Sequence, residues 1–225
     1  MRSSPQTGSH SDPTARHKQA AAEAAAELVA DGARVGLGTG STVSYLLPAL
    51  AARSLQLLCV ATSPATEQAA RALGLVLREL DDVGGLDIAI DGADQIDPHG
   101  WLIKGGGASH TREKIVAAAA ERFVVIASAE KAVPSLTSPV PLEIMRFGAQ
   151  STLKALAPAR LRGVAPSPDG NLIADYLGPI EDPRTLSARL SAHPGLVEHG
   201  LFEPELVSDI LIAGDGGIEH SQLEH

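Results

Sequence analysis

The chain has 225 residues, 44% of them hydrophobic, and a formal net charge of −9, which supplies apolar material for one large domain or two small ones. No run approaches the roughly 18 uninterrupted apolar residues of a membrane span, the N-terminus lacks the basic-then-apolar order of a secretory leader, and Lys and Arg form no block that would suit nucleic acid or an anionic membrane. These features place the chain in the cytoplasm and leave a small molecule as its expected partner.

Residues 1–15 are polar, rich in Ser and Pro and aperiodic, the pattern of a mobile tail. An alanine-rich helix is expected from Lys18 to Ala30, where Asp31-Gly32 stops it, followed by a short strand, Arg34 to Leu37. A glycine-rich turn then leads to a helix from about Thr42 to Ala52, the strand-like Leu55 to Ala61 and a helix from Pro64 to Leu73. The only cysteine, Cys59, sits in that apolar strand and reads as a small buried hydrophobe, and no disulfide framework is possible.

Further strands are expected at Leu75 to Leu80, from Leu86 and from Arg122, with a helix about Thr111 to Glu121. Strands alternating with helices imply a doubly wound, mostly parallel sheet. Beyond Lys131 the rhythm weakens: prolines at 134, 139 and 141 mark a boundary, and Pro141 to Phe202 mixes short strands with helices, one of them opened by Asp182-Pro183. Asp209 to Ala213 is apolar enough to rejoin the first sheet. The expected organisation is an α/β domain of residues 16–136 plus 204–220, a smaller α+β domain inserted at 137–203, and a second tail at 221–225 whose Leu223-Glu224-His225 looks like a tag remnant.

Three constellations carry chemistry. In the first, Gly36-Leu37-Gly38-Thr39-Gly40-Ser41-Thr42 joins a strand to a helix, and such a loop turns backbone amides and hydroxyls toward an anion at the positive end of the helix dipole. A dinucleotide fingerprint would need glycine at Ser41 and an acid ending the next strand, which instead closes Ala61-Thr62-Ser63; a nucleotide P-loop would need Gly-Lys. Phosphate is the natural guest, and a tight turn with an N-cap is the alternative.

In the second, Asp91-Gly92-Ala93-Asp94 ends an apolar strand, where ligands of open α/β sheets bind and where two carboxylates can exchange protons with sugar hydroxyls. Asp97 follows at a spacing that does not suit an EF-hand calcium loop, and plain turn formation by Asp and Gly is the other possibility. In the third, Lys104-Gly105-Gly106-Gly107-Ala108 runs into Thr111-Arg112-Glu113-Lys114. Three successive glycines cost conformational entropy, so their backbone is expected to lie close to something. Lys104 adds a cation, while Glu113 falls in the first turn of the next helix, where it could equally serve the helix dipole.

Taken together and in this order, these segments resemble those of the type A ribose-5-phosphate isomerases, whose motifs read GxGTGST, DGAD, KGGGA and TREK. The likeness extends to Lys18, to Lys131 in ASAEK and to DGNLIADY and PGLVEHGLF. It implies a Rossmann-like domain with an inserted α+β domain, assembly as a homodimer or homotetramer, and no cofactor or metal. It also implies interconversion of D-ribose 5-phosphate and D-ribulose 5-phosphate, in the non-oxidative branch of the pentose phosphate pathway, through an enediolate. Glu113 is then the proton-transferring base, with Lys104, Asp91 and Asp94 lining the sugar. Thr39, Gly40, Ser41, Thr42, Gly92, Ala93, Gly105, Gly106, Gly107 and Lys131 match substrate-binding positions, and Lys18 helps the phosphate. A base serving this chemistry should be partly buried, because an exposed Glu titrates too low.

Two positions depart from the family pattern. Gln95 stands where an acid often follows DGAD, removing a carboxylate from the edge of the site, and His110 replaces an apolar residue and reads as a solvated rim histidine. Rival functions are a sugar-phosphate sensor, which should carry a DNA-binding segment, and an amino-sugar-phosphate isomerase, which would use the same kind of base and loop.

Overall fold

The computed structural model describes residues 12–223. Its first element, α1 (Pro13–Ala26), begins earlier than expected, because Asp12 accepts a hydrogen bond from the Thr14 amide and Pro13 occupies the first helical turn. Residues 13–15 are therefore helical, whereas 1–11 lie outside the described residues. There follow β1 (Arg34–Leu37), α2 (Val43–Ala52), β2 (Leu58–Ala61), α3 (Pro64–Ala72), β3 (Val76–Leu77), α4 (Leu80–Val83) and β4 (Ile88–Gly92). The strand expected over Leu75 to Leu80 shrinks to two residues because Leu80-Asp81-Asp82 opens α4, with acids at its positive end.

Next come β5 (Gln95–Ile96), β6 (Leu102–Ile103), α5 (His110–Ala118), β7 (Phe123–Ser128), β8 (Val140–Ile144), α6 (Ala149–Ala155), β9 (Ala159–Leu161), β10 (Leu172–Tyr176), α7 (Pro183–Ser191), β11 (Leu196–His199), β12 (Leu201–Phe202), β13 (Asp209–Gly214) and β14 (Gly217–Gln222). The last strand corrects the expectation of a tail from residue 221: Ser221 and Gln222 pair with β13, and Leu223 packs on the core. Residues 224 and 225 lie outside the described residues.

Seven strands form the central sheet in the order β14-β13-β7-β4-β1-β2-β3, parallel except for the β13–β14 hairpin. The parallel strands β1, β4 and β7 are almost wholly buried, as sheets covered on both faces require. One face is covered by the alanines of α1 and the leucines of α2. Small side chains let α1 approach both α2 and the strands β7 and β13. The order of strand addition reverses at β1, with β2 and β3 on one side and β4, β7 and β13 on the other, so the loops that leave the parallel strands β1 and β4 flank an open crevice, the usual ligand position in such folds.

Two smaller sheets are antiparallel. One has the antiparallel order β11-β8-β10-β9 and the other β12-β6-β5, with Phe202 opposite Leu102. A separate apolar cluster, including Leu142, Ile144, Leu190 and Leu201, underlies the first of them.

Candidate active site

The loop after β1, the DGAD turn after β4, the glycine run after β6 and the first turn of α5 surround a polar cleft of about 240 Å³. It is lined by Thr39, Gly40, Ser41, Thr42, Gly92, Ala93, Asp94, Lys104, Gly105, Gly106, Gly107, Glu113 and Lys131. Two of the residues singled out from sequence stand just outside it. Asp91 is buried behind Lys104, and Lys18 reaches the loop from α1, its Nζ donating to Ser41 Oγ at 3.0 Å. The α2 helix starts at Val43, directly after the loop, so its positive dipole end adds to the cations Lys18 and Lys131 on that side.

Lys104, Asp91 and Glu113 form a charge cluster sealed from solvent. Lys104 Nζ lies 2.8 Å from Asp91 Oδ2 and 3.1 Å from Glu113 Oε2, and it donates to the Gly92 carbonyl at 2.5 Å. Asp91 Oδ1 accepts from the amides of Thr39 at 3.0 Å and Gly92 at 2.7 Å, so this carboxylate ties the first loop to the DGAD turn. Burial would lower Lys104, but Asp91 and Glu113 beside it hold its pKa above the ordinary lysine value. Burial raises Asp91 against the pull of Lys104 and of its two amide donors.

Glu113 behaves differently because Lys104 is its sole polar support in the cluster. Burial, and then the neighbouring Asp91 carboxylate, push it up to about 8 against the attraction of Lys104. One cation cannot neutralise two buried carboxylates, so both are raised, and Glu113 has fewer donors than Asp91 to offset its burial. The first-turn position, which alone would fit a helix-dipole role, thus holds an inward-facing group with an elevated pKa.

The glycine run is close to protein as well as to the cleft. A β-carbon on Gly105, whose φ is +107°, would stand 2.7 Å from His110 Nδ1, while the Gly106 amide donates to Asp94 Oδ2 at 2.8 Å. His110 is not at the rim: as the first residue of α5 it faces inward toward β8 and β11, fully buried, with Nε2 3.4 Å from the Glu198 carbonyl. Burial pushes its pKa down to about 4, so it is neutral packing beneath the loop. Gln95 pins a neighbouring segment, exchanging hydrogen bonds with the Thr137 amide and carbonyl. Asp97 turns inward on its own loop, accepting from the amides of His99 and Trp101. Among the described residues no three His, Cys, Asp or Glu side chains converge as a metal site.

Several supporting residues escaped sequence reasoning. Thr62, just after β2, and Thr66, in the first turn of α3, hydrogen-bond the first loop, with Ser63 capping that turn: Thr39 Oγ1 lies 2.8 Å from Thr62 Oγ1, Thr66 Oγ1 donates to the Gly38 carbonyl at 2.9 Å, and Ser63 Oγ accepts from the Thr66 amide. Their only signal was the hydroxyl run Thr62-Ser63 at a strand end. Glu143 and Phe202, distant in sequence, meet the site through α5 and Lys104.

Comparison with known proteins points to one family. Residues 58–217 match the family model described as ribose 5-phosphate isomerase A (phosphoriboisomerase A). Ribose-5-phosphate isomerase A of Caulobacter vibrioides is 47% identical over 91% of this chain and 97% of its own length. The crystal structure of ribose 5 phosphate isomerase A from Neisseria gonorrhoeae superposes with a TM-score of 0.89 at 30% identity, covering 94% of this chain and 98% of that one. A D-ribose-5-phosphate isomerase in complex with phospho-erythronic acid gives 0.87 at 30% identity, covering 92% and 98%. With the fold and the sequence in agreement, the chain belongs to the ribose 5-phosphate isomerase A family.

Proposed function

We propose that the chain interconverts D-ribose 5-phosphate and D-ribulose 5-phosphate by proton transfer through an enediolate, a reaction of the non-oxidative pentose phosphate pathway. The observation that carries this reading is the buried Glu113, with a pKa near 8, in contact with the Lys104 ammonium at the wall of a polar cleft. Moving hydrogen between C1 and C2 of an aldose needs a base and a site for the negative oxygen that develops.

Asp91, with Lys104, assists opening of the sugar ring, and Asp94 meets the sugar hydroxyls. Ionised Glu113 then removes the proton from C2 and returns it to C1. Lys104 and the amides of Gly105 and Gly107 stabilise the enediolate oxygens, in a cleft already organised for that charge. Thr39 to Thr42, Lys131 and Lys18 hold the phosphate, while Gly92 and Ala93 shape the floor. The phospho-erythronic acid bound to the solved relative suits such a site, since its carboxylate resembles the charged enediolate.

We also propose that residues 137–203 form an inserted unit, that the protein assembles as a homodimer or homotetramer, and that it works in the cytoplasm. The test of function is conversion of ribose 5-phosphate by the purified protein in a chelating buffer beside Glu113→Gln. Turnover should fall by roughly 10² or more in the variant, the usual worth of a general base, with substrate affinity kept. Binding without turnover in the wild-type protein would overturn the assignment.

A further inference from the structure

Lys104 has a partner that is neither carboxylate nor carbonyl. Its Nζ lies 5.4 Å from the centroid of the Phe202 ring, and Nζ of Lys114, the residue after Glu113 on α5, lies 4.9 Å from the same centroid. Phe202 is fully buried, and its own ring meets that of Phe123 at 6.4 Å. Its place is set by backbone pairing, since β12 lies antiparallel to β6 and the Lys104 amide donates to the Gly200 carbonyl at 2.8 Å.

The need for such a partner follows from how Lys104 is held. A lysine ammonium is a point charge on a flexible four-carbon stem. Apart from the Gly92 carbonyl, Nζ is held by two carboxylates, Asp91 Oδ2 at 2.8 Å and Glu113 Oε2 at 3.1 Å, whose pull depends on their charge. That attraction changes during the reaction, because Glu113 is neutral while it carries the proton. A ring face attracts the ammonium equally in both states, and the attraction is strongest where water is excluded. Lys114 needs the ring less, because Glu198 Oε1 at 2.7 Å and the His199 carbonyl at 2.8 Å already hold it.

We propose that Phe202 is a positioning residue whose ring face holds the Lys104 ammonium between Asp91 and Glu113 throughout the proton transfer. The inference rests on the roles given above to Lys104 and Glu113. Weakening the ring should let Lys104 drift, which costs stabilisation of the enediolate and removes a cation from beside Glu113. Glu113 faces Lys104, Asp91 and Asp94, and loss of the one cation leaves two like charges.

The test replaces Phe202 by 4-fluoro-, 3,5-difluoro- and 3,4,5-trifluorophenylalanine, which nearly keep the ring's size while withdrawing charge from its face, with Phe202→Leu as the end of the series. Turnover should fall stepwise, by between about two- and thirty-fold in all, with a smaller change in KM. In parallel, the titration of the Glu113 carboxyl, followed by carbon NMR, should move stepwise to higher pH. Turnover and titration that both stay flat across the fluorinated series would overturn the proposal, as would losses that follow melting temperature and not ring charge. If the wild-type protein proved inactive on ribose 5-phosphate, the functional reading would fail. The titration would still decide whether the ring governs the Lys104–Glu113 pair.

Discussion

Gly38 and Asp91 compete for one volume: a β-carbon at position 38 would stand 2.0 Å from the Asp91 carboxyl. The glycine is there to let that carboxylate accept the amides of Thr39 and Gly92 while touching Lys104. Gly38→Ala should displace Asp91 and with it the ammonium, at a stability cost of about 1–3 kcal/mol for overpacking. Turnover should fall by at least about 10², a general acid–base contribution, in a protein that still melts cooperatively. Turnover within twofold of wild type would show that the Asp91 carboxylate can move without consequence.

The elevated pKa of Glu113 makes a prediction about rate. The base must be ionised to take the C2 proton, so kcat/KM of the free enzyme should rise with pH and level off above about 8, falling tenfold per pH unit below that. An acidic limb near 4.5, the ordinary glutamate value, would mean that another group limits the reaction.

The same shift bears on stability with the opposite sense. A carboxyl whose folded pKa lies above its unfolded value favours folding only while protonated, so its contribution is fully present below the unfolded pKa and is lost as pH rises through about 8. Glu113→Gln removes that loss while Asp91 still pairs with Lys104. The variant should therefore gain melting temperature relative to wild type between pH 5 and pH 9, by an amount worth of the order of a few kcal/mol. A constant difference across that range would place Glu113 in a more solvated setting than the structure shows.

How far the sequence could foretell this depended on whether the signal was local. The strands Arg34 to Leu37 and Asp209 to Ala213 announced themselves as apolar runs, and both appear in the central sheet. The three glycine- and acid-bearing loops were legible because each sits at a strand end, and thirteen of the fifteen residues they and their partners suggested line one cleft. The hairpin strand β14 was not legible: all six of its residues are exposed, so it has no apolar alternation to read. His110 was misjudged because polarity speaks for solvent, whereas the helix face of α5 turns it inward. Phe202 gave no local sign, since it acts on a lysine 98 positions earlier through a strand pairing.

The acid stability of the sheet edge should rest on Asp209. Its buried carboxylate accepts a pair of hydrogen bonds from Arg122, at 2.6 and 2.8 Å, and one from His220 Nε2 at 2.7 Å, linking β7, β13 and β14. Burial alone would raise its pKa, but Arg122 and His220 hold it down to about 2. A depressed carboxyl contributes above its unfolded pKa and loses that contribution as pH falls toward the folded value. Asp209→Asn should cost roughly 2 kcal/mol at pH 7, and the gap from wild type should close between about pH 4 and pH 2, measured by urea unfolding. A gap that persists at pH 2 would mean that shape and not charge holds the edge.

Glu143 is fully buried on β8 and fastens the turn that carries Glu113. Its Oε1 accepts from Ser167 Oγ at 2.6 Å and Asn171 Nδ2 at 2.8 Å, and its Oε2 accepts from Thr111 Oγ1 at 2.6 Å, two residues before Glu113 on α5. Arg112, between them, is clamped by both oxygens of Asp169. Glu143→Ala would take the acceptor from three donors, the buried Ser167 and the half-buried Thr111 and Asn171, and the cost of unmade hydrogen bonds puts the loss at about 3 kcal/mol. Thr111→Val is the finer probe, because it removes one donor and keeps the shape of the helix turn. It should cost only about 1 kcal/mol in urea unfolding, while freeing the first turn of α5 to shift. Since a base must hold its reach to within a fraction of an ångström, that variant should lower kcat several-fold with KM little changed. If kcat held while stability fell, Glu143 would be a fastening of the fold that the site does not feel.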